Sequence, residues 1–337
     1  MPEMPLPRLL SRRPLLLGAA AAALAPWSLA AQPARGGAAA GAGKLSVLAT
    51  TAMVGDLARR IGGDRIALEV LMGEGVDPHL YKPTREDVAK LLRAGLVLYS
   101  GLLLEGKMTD AFTRIARTGR PVVAVAESLP REALLAAEGA EGHPDPHVWM
   151  DVSLWSQVAS RIAVQLKESD PAGAATYDAN LATLRQELEA LDSWARQAIA
   201  SIPAPQRVLV TAHDAFNYFS RRYGIEVMGI QGLSTESEAG LRRIEELVGI
   251  LVERRIPAVF VESSVSDRNV RALVEGAASR GHRVAIGGEL FSDAMGAPGS
   301  YEGTYPGMID HNVTVITRAL GGAAPPRGFA GKLAEAR

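Results

Sequence analysis

Residues 170–201 read DPAGAATYDANLATLRQELEALDSWARQAIAS. Tyr177, Leu181, Leu184, Leu188, Leu191, Ala195 and Ala198 recur at alternating steps of four and three. That spacing puts them on one face of a helix. Asp170-Pro171 supplies a start signal, an N-cap with proline at the first helical position. An unbroken helix from near Pro171 to Ser201 is about 45 Å long at 1.5 Å per residue, longer than a usual domain helix. Three heptads are few for a coiled coil, so the stretch reads as a spine between two larger units and a rigid link joining them.

On both sides of this spine, short apolar strands alternate with helices. On the N-terminal side the pattern predicts strands over 45–50, 66–72, 96–99 and 122–126, with helices over 53–61 and 84–94. A further helix over 152–167 leads into the spine. On the C-terminal side it predicts strands over 207–210, 226–230, 258–261 and 283–286, with helices over 215–223, 238–254, 268–279 and 305–320. Leucine-rich and β-branched strands separated by helices indicate parallel sheets with both faces covered. The expected fold is α/β, two parallel-sheet lobes joined by one long interdomain helix. The expected boundaries are 44–168 for the N-terminal lobe, 169–203 for the linking helix, 204–325 for the C-terminal lobe and 326–337 for a tail.

The 337 residues, 47% of them hydrophobic, suffice for two packed cores. The formal net charge is −1, and no basic run lies outside the extreme N-terminus, which argues against nucleic acid as a partner. Ser11-Arg12-Arg13, the apolar run from Leu15 to Ala25 and the small residues Ser28-Leu29-Ala30 read as a cleaved signal peptide over 1–30. The paired arginines also fit the twin-arginine route, with Sec export left open. The apolar run is shorter than the roughly 20 residues of a transmembrane helix, so no span is expected in the mature chain. Residues 31–43, made of Ala, Gly, Pro, Gln and Arg, read as a flexible leader. Cysteine is absent, which excludes disulfides, thiolate ligands, a cysteine nucleophile and lipid attachment at an N-terminal cysteine. The resulting expectation is an exported protein, free in the periplasm and not lipidated.

Four of the six histidines fall in three short stretches. These are Val76-Asp77-Pro78-His79, His143-Pro144-Asp145-Pro146-His147-Val148-Trp149-Met150-Asp151 and Val210-Thr211-Ala212-His213-Asp214. A fourth stretch, Glu289-Leu290-Phe291-Ser292-Asp293, ends in a carboxylate. His79, His213 and Asp293 each follow a predicted strand, and ligands of open parallel sheets sit beyond the carboxyl ends of strands. His147 lies in a proline-punctuated loop before the 152–167 helix. Two residues from each half would meet in a cleft, and three imidazoles with one carboxylate suit Zn²⁺, with Mn²⁺ next. His143 reads as an exposed neighbour, while His282 and His311 read as structural. Glu262, ending the strand over 258–261, reads as structural or as an outer partner of a ligand.

Four segments together resemble the zinc/manganese solute-binding receptors of ABC importers, the TroA-like group. They are Gly75 to Thr84, Asp145 to Asp151, Thr211 to Phe216 and Gly288 to Asp293, and the resemblance runs from about Lys44 to Leu320. It implies that His79, His147, His213 and Asp293 hold one ion between the lobes. It also implies delivery to a permease with a separate ATPase subunit, by a receptor acting as a monomer. Two departures oppose each other: the chain lacks the long histidine-rich loop of many zinc-specialised members, yet it has His213 where many manganese-reading members carry Glu. Two other readings compete. One is a metallohydrolase with an open coordination position, opposed by the four protein ligands and by the absence of His-Glu-x-x-His and Gly-x-Ser-x-Gly. The other is a surface adhesin on the same scaffold. Gly101 to Met108 mimics a phosphate-binding loop, but Met108 replaces the required Ser/Thr and leucines crowd the loop, so nucleotide binding is rejected.

Overall fold

The structure, a computed structural model, describes residues 43–136 and 142–334. The expected signal peptide and all of the leader except Gly43 lie outside the described residues. Four parallel strands form the first sheet: β1 (Leu45–Thr51), β2 (Ile66–Met72), β3 (Leu96–Tyr99) and β4 (Val122–Ala124), in the order β2-β1-β3-β4. The connecting helices are α1 (Ala52–Gly62), α2 (Arg85–Arg93) and α3 (Thr109–Ala116). α2 begins on a capping box in which Thr84 and Asp87 exchange side-chain and backbone bonds, a motif worth about 1 kcal/mol. α4 (Val152–Ser169) and α5 (Ala174–Ala200) follow.

Beyond α5 the chain forms two pairs of parallel strands. β5 (Val208–Thr211) pairs with β6 (Glu226–Gly229), and β7 (Ala258–Glu262) pairs with β8 (Ala285–Leu290). Four helices accompany them: α6 (Asn217–Tyr223), α7 (Leu241–Glu253), α8 (Arg268–Ser279) and α9 (Tyr305–Ala319). α5 packs on α1 and α4 and also on α6 and α9. Its buried residues Tyr177, Leu184, Leu188, Leu191, Ala195 and Ala198 follow the predicted stripe. One hydrophobic core runs through this helix, from Val47 and Leu57 through Trp155 and Leu188 to Phe219 and Met308. Among the described residues no helix is long and apolar enough to cross a membrane.

Several local expectations are corrected. The spine does not start as α-helix at Pro171: residues 171–173 form a single 3₁₀ turn, and α5 begins at Ala174. Asp170 does not cap it with its side chain. Its carboxylate instead takes Arg65 Nε at 2.7 Å, Arg65 Nη2 at 2.9 Å and the Tyr177 hydroxyl at 2.6 Å. α3 went unforeseen between the third and fourth predicted strands. β8 runs on through Gly287-Gly288, a pair that reads as a strand break. A side chain at Gly287 would collide with Phe260 and Ala319, so glycine there permits close packing of the strand against α9 and β7. The 326–334 segment is no free tail: Phe329 and Ala330 donate their N–H groups to the buried Asp310 carboxylate, and Leu333 is buried.

Candidate metal centre

The loop after β2 carries His79, the loop after β5 carries His213, and the segment after β8 carries Asp293. His147 stands at the entry to a short 3₁₀ turn, Val148–Met150. Asp151 then caps α4 by accepting from the N–H groups of Ser153 and Leu154. Sequence reasoning placed these four residues at loop edges, and the folded chain brings all four together. One ligand atom from each lies within 4.8 Å of all the others. His79 Nε2 is 3.3 Å from His147 Nε2 and 3.5 Å from Asp293 Oδ2. Asp293 Oδ1 is 3.5 Å from His147 Nε2, and Oδ2 is 3.2 Å from His213 Nε2.

The group is shut away from water: His147 and His213 are 0% exposed, Asp293 2% and His79 7%. Burial of this kind demands partners, yet His213 Nε2 and both Asp293 oxygens find none outside this group. Unpaired buried polar atoms are costly. Here they converge on one point, as expected for donors that together fit a single divalent ion. Neutral imidazole nitrogens and a carboxylate oxygen suit Zn²⁺ or Mn²⁺.

Carboxylates behind two of the rings fix their orientation. His147 Nδ1 faces Asp145 Oδ1 at 2.8 Å, and His213 Nδ1 faces Glu262 Oε2 at 2.5 Å. A ring that donates from Nδ1 presents the Nε2 lone pair to the site. Glu262 also accepts the His213 N–H at 2.9 Å, so both of its oxygens are engaged by one residue. Trp149 Nε1 donates to the Ser292 carbonyl at 2.9 Å, which ties the His147 loop to the segment holding Asp293.

Charge follows from this packing. Burial lowers the His79 pKa to about 4, against the opposing pull of Asp293, so that ring is neutral at ordinary pH. Burial also disfavours a charged His213, but the Glu262 and Asp293 carboxylates outweigh it and raise that pKa well above the usual range. Asp293 is buried too, yet the imidazoles, His213 foremost, hold it well below the usual carboxylate range.

The other sequence-singled residues stay apart from this set. His143 is exposed. His282 Nε2 bonds the Ile256 carbonyl at 2.8 Å, and His311 Nε2 bonds the Glu289 carbonyl at 2.9 Å, both structural contacts. In the Gly101 to Met108 loop, the Ser100 and Gly101 N–H groups point at the buried Glu105 carboxylate at 2.7 and 3.1 Å. An internal carboxyl group thus takes the N–H groups a phosphate would need. Two supporting carboxylates, Asp77 and Asp145, were not singled out from sequence. Their signal is the repeated Asp-Pro-His tripeptide, in which each Asp accepts the N–H of the His two residues on, at 2.8 and 2.9 Å.

Comparison with known proteins identifies the family and its fold. Residues 47–319 match the family described as zinc-uptake complex component A, periplasmic. The manganese-binding lipoprotein MntA of Bacillus subtilis is 50% identical over 278 residues, covering 82% of this chain and 90% of that protein. The solved structure of the periplasmic zinc-binding protein TroA of Treponema pallidum superposes with a TM-score of 0.80 at 47% identity, covering 82% of this chain and 99% of that one. A third relative, the metal ABC transporter substrate-binding lipoprotein ScbA of Streptococcus cristatus, is 32% identical over 285 residues, covering 83% of this chain and 90% of that protein. MntA and ScbA overturn the expectation of an unlipidated receptor free in the periplasm, because both are named lipoproteins. The missing cysteine behind that expectation is a fact about one attachment chemistry, and location does not follow from it.

Proposed function

This chain belongs to the zinc-uptake complex component A family, the metal-binding receptors of ABC importers, and from that premise we propose that it captures one divalent ion through His79, His147, His213 and Asp293. Zinc is the favoured cargo and manganese the second, since three of the four donors are imidazole nitrogens. The observation that carries this reading is the convergence of His213 Nε2 and both Asp293 oxygens, buried and otherwise unpaired. The chain is a receptor and not an enzyme. The metallohydrolase alternative lacks support at the site as well, because both oxygens of Glu262, the carboxylate beside His213 that could otherwise act as a base, are engaged by His213.

The receptor, acting as a monomer, hands its ion to a membrane permease driven by a separate ATPase subunit. In this reading residues 44–168 and 204–325 are lobes, and the helix within 169–203 restricts how far they separate. The test is a competition: metal-stripped protein is dialysed against equal Zn²⁺ and Mn²⁺, and bound ions are counted by mass spectrometry. About one zinc per chain with little manganese supports the assignment of cargo. Dominant manganese reverses the order of the two ions, and the absence of both removes the site.

A further inference from the structure

The two Asp-Pro-His turns differ in the use of the second carboxylate oxygen. Asp145 lies behind its own histidine, taking both the N–H and Nδ1 of His147 on Oδ1. Asp77 takes only the N–H of His79, and its Oδ2 accepts the Thr235 hydroxyl at 2.5 Å. Thr235 belongs to the far half of the chain, in residues 231–240 between β6 and α7, which contain no helix or strand. The next residue, Glu236, pairs with Lys107 Nζ at 2.7 Å, returning to the loop region after β3. Two successive residues of one strap thus hold two separate loops of the N-terminal half. Through Asp77, whose Oδ1 accepts the His79 N–H at 2.8 Å, the strap is tied to the most exposed of the four ligands.

We propose that the strap over 231–240, clasped by Thr235 to Asp77 and by Glu236 to Lys107, is the gate past His79 through which the ion enters and leaves. The proposal rests on the metal-receptor reading above. The other three donors are enclosed, and His147 and His213 are fixed from behind by carboxylates. His79 has no such support, so the route that disturbs fewest fixed groups runs past it. A gate affects passage in both directions, whereas a residue that merely orients a ligand affects the bound state alone.

The experiment measures zinc association and dissociation rates in the intact chain by stopped flow. Association is followed by tryptophan fluorescence, since the Trp149 ring lies 5.3 Å from the His147 ring, and dissociation by capture with a chelator. Thr235→Val and Glu236→Lys are each expected to raise both rates about five- to tenfold, the loss of one such bond, while Kd changes by less than about threefold. The charge exchange Lys107→Glu with Glu236→Lys is expected to restore slow passage, a result that a general packing defect would not produce. Unchanged rates overturn the gate, as does a rise in dissociation alone with a matching rise in Kd. Failure of the unmodified chain to bind zinc would instead strike the receptor reading, and is distinguishable on that ground.

Discussion

His213 and His79 serve the same centre from opposite structural positions. His213 is fully buried, with Glu262 on both its backbone N–H and its ring, whereas His79 keeps 7% exposure and its neighbouring carboxylate turns away to Thr235. Glu262 engages both the backbone N–H and the ring of His213, whereas Asp77 engages only the backbone N–H of His79. On the proposed reading, donors of one type divide into a fixed frame, His147 and His213, and an entrance at His79. The electrostatics differ as well: the neighbouring carboxylates raise the His213 pKa well above the usual range, while burial lowers that of His79 to about 4.

Replacing these two residues should expose that division most clearly. If about a quarter of the roughly 10–16 kcal/mol of a closed zinc site resides in each ligand, His79→Ala and His213→Ala each weaken zinc on the order of a hundred- to a thousand-fold. Only His213→Ala should also destabilise the metal-free protein, by about 3–5 kcal/mol, because it strips the buried Glu262 of its imidazole partner and leaves it only the backbone N–H. Chelator competition gives the first quantity and thermal unfolding of the apoprotein the second. Equal apoprotein stabilities would abolish the distinction between frame and entrance.

A smaller effect should follow from altering the carboxylates behind the rings. Glu262→Gln and Asp145→Asn keep the shape but weaken the hold on Nδ1, with an expected loss of about 10–100-fold in zinc affinity. Chelator titration of these variants checks the prediction, and an affinity within twofold of the parent would show that the rings need no such support.

The pH dependence sharpens the comparison further. His213 has a raised folded pKa, so its ion pairing stabilises the metal-free fold below the ordinary histidine value near 6.5, and that contribution is lost as pH rises through the folded value. Zinc must displace the Nε2 proton, so affinity should fall by about tenfold per pH unit below the folded His213 value, starting above pH 6.5. His79, with its pKa lowered to about 4, releases no proton between pH 5 and pH 8. Calorimetry near neutrality in buffers of differing ionisation enthalpy should therefore find proton release on zinc binding to which His213 contributes. A count near zero would mean that His213 is already neutral. The smallest expected effect is at His143, which is exposed: His143→Ala should change zinc affinity by no more than about twofold in the same competition assay.

Much of this arrangement is legible in the chain. The stripe from Tyr177 to Ala198 specifies the buried face of α5, because helical periodicity and burial obey the same geometry. The four donors are legible because each ends a strand or punctuates a loop on the edge where ligands gather. The partners of those donors were harder to see. Glu262 lies 49 residues from His213, and no local spacing signals that pair. The Thr235 to Asp77 contact spans 158 residues and depends wholly on how the halves meet. Asp170 shows the opposite failure, since its N-cap signal is genuine but Arg65 and Tyr177 offer its carboxylate stronger partners. The strand through Gly287-Gly288 was hidden because glycine reads locally as a break, while its value lies in letting Phe260 and Ala319 approach.

The central claim, that three histidines and one aspartate hold a single ion, is tested most directly by X-ray absorption at the zinc edge of the stoichiometrically loaded protein. The predicted result is a first shell with three imidazole scatterers at about 2.0–2.1 Å and one carboxylate oxygen at about 2.0–2.2 Å. A shell of oxygens alone, or one with fewer than two imidazoles, would contradict it.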